Sequence, residues 1–153
     1  MRSFRSAALV LGAVLLFSGC ASVPTARVSD SNLAKSFPVP PEGQSGLYIY
    51  RNSFAGKALK KDVWVDGKCL GQTADKMFFY VLVEGNKEHK LSTESEFSPN
   101  DLMLYVEAGK NYFIRQIIKM GVFVGGAKLE RVSEDEGKAE VSKLSLAESG
   151  ECS

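Results

Sequence analysis

The chain has 153 residues, with 19 Lys and Arg, 18 Asp and Glu and a single His, so its formal charge is only +1. Lys57, Lys60 and Lys61 are the one tight basic cluster; attraction to a polyanion needs far more concentrated positive charge, which argues against a nucleic-acid partner. The length suits one domain with a substantial core rather than two.

The N-terminus reads as an export signal. Arg2 and Arg5 form a positive n-region, and Ala7 to Phe17 is an apolar stretch too short to span a bilayer. Phe17-Ser18-Gly19-Cys20 resembles the lipobox of secreted bacterial lipoproteins, with Phe17 in the place of the usual Leu. The resemblance implies cleavage before Cys20 and acylation of that residue as the new N-terminus. Several acyl chains on one residue give lasting attachment, since each buried methylene contributes about 0.8 kcal/mol. Ala21 and Ser22 follow, without the Asp that commonly retains such proteins at the inner membrane. The expected address is the cell envelope, at the outer membrane and facing the periplasm. Loss of residues 1–19 removes Arg2 and Arg5, so 19 basic side chains become 17 against 18 acidic ones, a balance of −1.

Residues 20–43 carry Pro24, Pro38, Pro40 and Pro41 among Ser, Asn and charged residues, and read as a flexible, lipid-anchored tether with a reach of roughly 25 Å. Asp30 to Phe37 can form a short helix capped by Ser29 or Asp30, though its apolar positions are few. From residue 44 to 146 the apolar pattern has period two and is broken by glycine turns, the signature of an antiparallel β domain. Leu47 to Arg51 opens it. Asp62 to Val65 and Lys68 to Leu70 flank Asp66-Gly67, a two-residue type I′ hairpin signal. Met77 to Val83 and His89 to Thr93 read as a second hairpin around Glu84 to Lys87, and Leu102 to Val106 with Tyr112 to Ile118 as a third around Ala108-Gly109-Lys110. Val122 to Val124, Ala127 to Val132 and Lys138 to Leu144 add further strands, the last two joined by the acidic turn Glu134 to Gly137. Eight or nine strands with this many aromatic and branched residues need both faces of a sheet covered, so the expected fold is all-β, an antiparallel β-sandwich, followed by a tail over residues 147–153.

Tyr48-x-Tyr50-Arg51, Val63-x-Val65-Asp66-Gly67-x-x-x-Gly71, Gly85-x-x-x-His89 and Ala108-Gly109-Lys110-x-Tyr112-Phe113-x-Arg115 occur in that order. In order and spacing they resemble an uncharacterised bacterial lipoprotein family, domain of unknown function 2846, over about Gly46 to Leu146. The resemblance implies a sandwich of transthyretin or immunoglobulin-like character in an envelope lipoprotein, and brings no established activity or catalytic residues. Glu84 stands where the family pattern leads one to expect Pro.

Little catalytic chemistry is legible. His89 must serve any His-dependent triad, yet it shares a strand face with Leu91 and reads as a packed, hydrogen-bonded residue. Glu134 to Glu136 lack the alternating ligands of a calcium loop, and Gly121 to Gly126 has no following helix for a phosphate. We therefore expect no metal, no cofactor and no catalytic residues. Alternation from Asp66-Gly67 pairs Val65 with Lys68, Trp64 with Cys69 and Val63 with Leu70. If Val63, Val65 and Leu70 face the core, Trp64 and Cys69 face outward, where Trp64 is either covered by the tail or part of a recognition surface. Tyr48 and Tyr50 share the face opposite Leu47 and Ile49, with one set in the core and the other near the rim. Arg51 and Arg115 pair with a carboxylate or with a ligand anion. With Trp64, these four are the candidate binding surface.

With Cys20 acylated, Cys69 and Cys152 are an even pair in an oxidising compartment, and a disulfide between them is expected. It closes a loop of about 80 residues, restrains the unfolded chain by roughly 4 kcal/mol in the entropy model, and draws the tail across Trp64. The reading that emerges is a non-enzymatic lipoprotein, held to the membrane through Cys20, that presents a surface to an envelope protein or to peptidoglycan. The alternative is a purely structural or stress-related lipoprotein without a ligand; an enzyme acting on peptidoglycan or lipid ranks behind both.

Overall fold

The computed structural model describes residues 22–53, 55–95, 100–121, 123 and 125–153. Cys20 with the export signal, and Val122 and Val124 of one expected strand, lie outside the described residues. The described elements are α1 (Val28–Ala34), β1 (Gln44–Arg51), β2 (Lys61–Val65), β3 (Lys68–Thr73), β4 (Met77–Glu84), β5 (Lys87–Thr93), β6 (Asn100–Val106), β7 (Asn111–Lys119), β8 (Gly126–Val132), α2 (Glu134–Val141) and β9 (Ser145–Leu146). Five strands in the order β8-β7-β1-β4-β9 pack against four in the order β3-β2-β5-β6, which is the expected sandwich.

The pairing corrects the purely antiparallel expectation. β1 runs parallel to β7 and antiparallel to β4, and β9 runs parallel to β4. Of the three expected hairpins, the one at Asp66-Gly67 lies within one sheet, with φ of 51° and 76° at the two residues, as type I′ requires. A bulge between Val63 and Trp64 pairs Val63 with Gly71 rather than Leu70. The other two expected hairpins are instead crossovers: β4 and β7 belong to the five-stranded sheet, β5 and β6 to the four-stranded one. The reason is where the turn backbones bond. The Gly85 N–H donates to Gly43 O and the Gly109 N–H to Gln44 O, so both turns are tied to the chain entering β1. The two crossovers also press on each other: a Cβ on Gly85 would lie 2.5 Å from Ala108 Cα, a gap only Gly tolerates.

The acidic run Glu134–Gly137 is the first turn of α2 rather than a β-turn, and Lys138 to Leu144 does not form a strand. Ser133 accepts a hydrogen bond from the Glu136 N–H, and three acids occupy the first turn, where the helix dipole favours negative charge. A Cβ on Gly137 would sit 2.2 Å from Phe113 Cγ, so the missing side chain lets α2 lie directly on β7.

Two apolar layers result. Between the sheets lie Leu47, Ile49, Val63, Leu70, Phe79, Leu91, Leu104 and Ile114. On the far side of the five-stranded sheet, Tyr48, Tyr50, Phe78 and Phe113 are roofed by Ala34, Phe37, Val141 and Leu144. β1 is therefore buried on both faces, and neither Tyr48 nor Tyr50 reaches the rim.

The segment expected to be a free tether is part of that roof. Its helix is Val28–Ala34, starting after Arg27, which makes no side-chain cap and pairs with Asp30 at 2.9 Å. Thr25 bridges Ala147, Tyr48 Oη donates to Ala34 O at 2.8 Å, and Asn111 Nδ2 donates to Pro38 O at 3.0 Å. The tyrosine-rich outer face of β1 needs a cover, and the chain before it provides one.

Candidate functional site

The five residues expected to form a surface do not form one, although Tyr50 and Arg115 are neighbours across β1 and β7. Tyr48, Tyr50 and Arg51 are fully buried, Trp64 is half-buried in the other sheet, and Arg115 is tied into ion pairs. Burial pushes the Tyr50 phenol up to about 12, a shift opposed by nearby Arg115 and aided by Glu136 and Glu140. Arg51 donates from Nη1 to Leu59 O at 2.8 Å and from Nη2 to Gly56 O, pinning the loop before β2. Burial pulls its pKa below the ordinary value, against the pull of Asp75. Arg115 bonds Glu130 at 2.5 Å and Glu136 at 3.0 Å, joining β7, β8 and α2. Both arginines thus hold the protein to itself.

His89 is 2% exposed. Its Nδ1 lies 2.6 Å from Asp66 Oδ2 and its Nε2 2.7 Å from Glu84 O. Both ring nitrogens are engaged, which locks the β2–β3 turn to the end of β4 and leaves no nitrogen aimed at a substrate. Partial burial pushes the Asp66 carboxyl up, but hydrogen bonds from His89 and the Lys90 N–H outweigh this and hold it below the usual carboxylate value.

Cys69 and Cys152 form a disulfide, with their Cα atoms 5.9 Å apart. The Gly150 N–H donates to Leu70 O, and the Ser153 N–H to Asp62 Oδ2 at 2.8 Å. The tail therefore covers the β3 edge and lies on the face of β2 to which Asp62 and Trp64 both alternate.

A recess of about 760 Å³ lies where the chain passes from β6 to β7. Tyr105, Glu107, Lys110 and Asn111 line one side, Tyr112 and Phe113 are set in its wall, and Arg131, Ser133 and Glu134 line the other. Tyr105 is 56% exposed. The Arg131 guanidinium stands 4.9 Å over the Tyr112 ring, a cation–π contact that fixes the positive group at the wall. Tyr112 is itself fixed by the Glu107 N–H, which donates to its hydroxyl at 2.9 Å. Lys110 pairs with Glu107, and that contact raises its pKa. An aromatic face, two cations, two carboxylates, an amide and a hydroxyl thus converge on one concavity, suited to holding a polar ligand.

Sequence reasoning missed this site. Tyr105 alternates with Asp101 and Met103 onto the exposed face of β6, a signal present in the pattern. Arg131 carried none, because the neighbourhood it shares with Tyr112 depends on the β7–β8 pairing. Among the described residues, no group of three His, Cys, Asp or Glu could hold a metal ion, and no helix is long and apolar enough to cross a membrane.

The family model described as Protein of unknown function (DUF2846) matches residues 41–127. The chain belongs to this family. An uncharacterized protein of Haemophilus influenzae is 59% identical over 140 residues, 92% of this chain and 83% of that protein. No solved structure matches. The DUF2846 match takes in both crossovers and the His89–Asp66 pair, and ends at the second residue of β8. Within this DUF2846 protein, the Arg131–Glu134 wall of the recess and all of α2 therefore lie beyond the matched region.

Proposed function

We propose that this DUF2846 protein is a non-enzymatic lipoprotein, anchored through Cys20 at the outer membrane and facing the periplasm, whose domain binds an envelope glycan of the peptidoglycan type in the recess beside Tyr105. The single observation that carries this reading is the composition of that recess. A glycan strand offers hydroxyls and amides for hydrogen bonding, apolar ring faces for Tyr105, and, where peptides are attached, carboxylates for Lys110 and Arg131. The engagement of both His89 nitrogens supports binding rather than catalysis, since no other histidine exists to act as a base.

Calorimetric titration with soluble muropeptides tests the reading. The wild-type protein binds, and Tyr105→Ala and Arg131→Glu each weaken binding about tenfold, some 1.4 kcal/mol, while circular dichroism stays unchanged. If the wild-type protein shows no heat with muropeptides, a glycan ligand is excluded; a single protein recovered by crosslinking would then identify the partner class.

A further inference from the structure

We propose that the end of the sandwich carrying Lys60, Lys119, Met120 and Phe123 is a second membrane contact, seated on an anionic bilayer surface with Met120 and Phe123 at the boundary between headgroups and acyl chains. This inference rests on the Cys20 anchor proposed above.

The argument starts from where the chain leaves the fold. Thr25 is fixed to Ala147, and Val23 and Pro24 line a small hollow with Lys60 and Gln72. Cys20 precedes Ser22, the first described residue, by two positions, a span of at most about 7 Å. An acylated Cys20 therefore holds the bilayer close to the neighbourhood of Lys60 instead of trailing the domain on a long leash.

Lys60 immediately precedes β2 at the end of the sandwich where β1 and β7 finish and β8 begins. The neighbouring Leu59 packs there: a Cβ on Gly125 would meet its side chain at 2.5 Å, and one on Gly56 would meet both Leu59 and Ile118. The ends of the β7–β8 connection thus lie at the same end of the sandwich as Lys60. That connection bears the two most exposed large apolar residues among those described, Met120 at 89% and Phe123 at 84%.

Exposed Lys60, Lys76 and Lys119 belong to the same end, set against Glu148 and Glu151 on the tail. Lysines beside protruding apolar side chains form the pattern that seats a surface on anionic lipid, because each cation gains attraction while its apolar stem packs at the interface. The Tyr105 recess lies at the other end: β7 pairs Lys119 with Gly126 near the bilayer contact and Phe113 with Val132 near the recess. About 20 Å of strand separates these pairs. The bilayer contact would therefore turn the recess away from the membrane.

The test uses full-length acylated protein in which Cys69 and Cys152 are paired, so that an introduced cysteine is the one reactive thiol. Met120→Cys, Met103→Cys and Glu88→Cys are each labelled with bimane and mixed with phosphatidylethanolamine–phosphatidylglycerol vesicles containing nitroxide-labelled lipid. The proposal expects emission at position 120 to fall at least twofold and shift to the blue, with positions 103 and 88 unchanged, and the effect to weaken when phosphatidylcholine replaces phosphatidylglycerol. Equal quenching at all three positions, or none at 120 in protein whose mass shows acylated Cys20, would overturn the bilayer contact and leave the anchor standing. Protein whose mass shows no acyl chain on Cys20 would remove the anchor and this inference together.

Discussion

His89 and Asp66 show how one short contact organises two connections. The imidazole ties the β2–β3 turn to the last carbonyl of β4, while Asp66 Oδ1 accepts from the Lys90 N–H at 2.9 Å. A Gln at position 89 carries both its N–H donors on a single nitrogen, so it cannot reach the carboxylate and the carbonyl that sit against the two separate ring nitrogens of His89. We expect His89→Gln to cost about 1 to 3 kcal/mol in urea unfolding and to leave ligand binding intact in the folded fraction. Asp66 gives the pH dependence its sign. Its carboxyl is depressed in the folded state, so the unfolded chain takes up a proton first as the medium is acidified, and the stabilisation present above the ordinary value of 3.8 is lost as pH falls through the lower folded value. Asp66→Asn removes that contribution, and the difference between its urea midpoints at pH 7 and pH 3 should be smaller than for the wild-type protein; an unchanged difference would contradict this account of Asp66.

At the scale of elements, local chemistry decided some connections and tertiary context the others. Asp66-Gly67 was legible because a type I′ turn needs positive φ at two consecutive residues, and few pairs other than Asp-Gly or Asn-Gly allow it. Gly85-Asn86 and Ala108-Gly109 carry similar turn chemistry, yet their strands separate into different sheets. Which strand a chain pairs with after a turn depends on partners distant in sequence, here the chain entering β1. The continuous run Leu47-Tyr48-Ile49-Tyr50 pointed to burial on both faces, as central strands require, and the expectation of a free tether hid the cover that makes such burial possible. α2 left a signal that was read as a turn: Ser133 followed three residues later by Glu136 is the spacing of a capping box. Gly137 gives this helix a discriminating test. Gly→Ala inside an exposed helix stabilises by up to about 1 kcal/mol. Here the new Cβ meets Phe113, so Gly137→Ala should instead destabilise by about 1 to 3 kcal/mol in chemical denaturation. A stabilised variant would mean that α2 does not rest on β7.

Across the whole molecule, both chain ends reinforce one edge. The residues before α1 and those after β9 pair with each other, and the tail then crosses to β3 and is bonded there through Cys69 and Cys152. The bond spans 83 positions, and in the chain-entropy model a loop of that size contributes about 4 to 5 kcal/mol. Cys152→Ser should lower the urea midpoint accordingly, and the Gly150 amide, which donates to Leu70 O, should exchange faster with solvent. The candidate site was less legible than the fold for a related reason. Tyr105 and Lys110 belong to the β6–β7 stretch and Arg131 to β8, and only the assembled sandwich brings the two stretches to one concavity.

The central claim is that this concavity engages an envelope component in the cell, and photo-crosslinking tests it most directly. A photoreactive amino acid placed at Tyr105 in the full-length protein, with a matched control at Lys90 on the exposed face of β5, is irradiated in intact cells, and what remains attached is identified by mass spectrometry. The account predicts muropeptide adducts at position 105 and none at position 90; the same scatter of unrelated neighbours at both positions would contradict it.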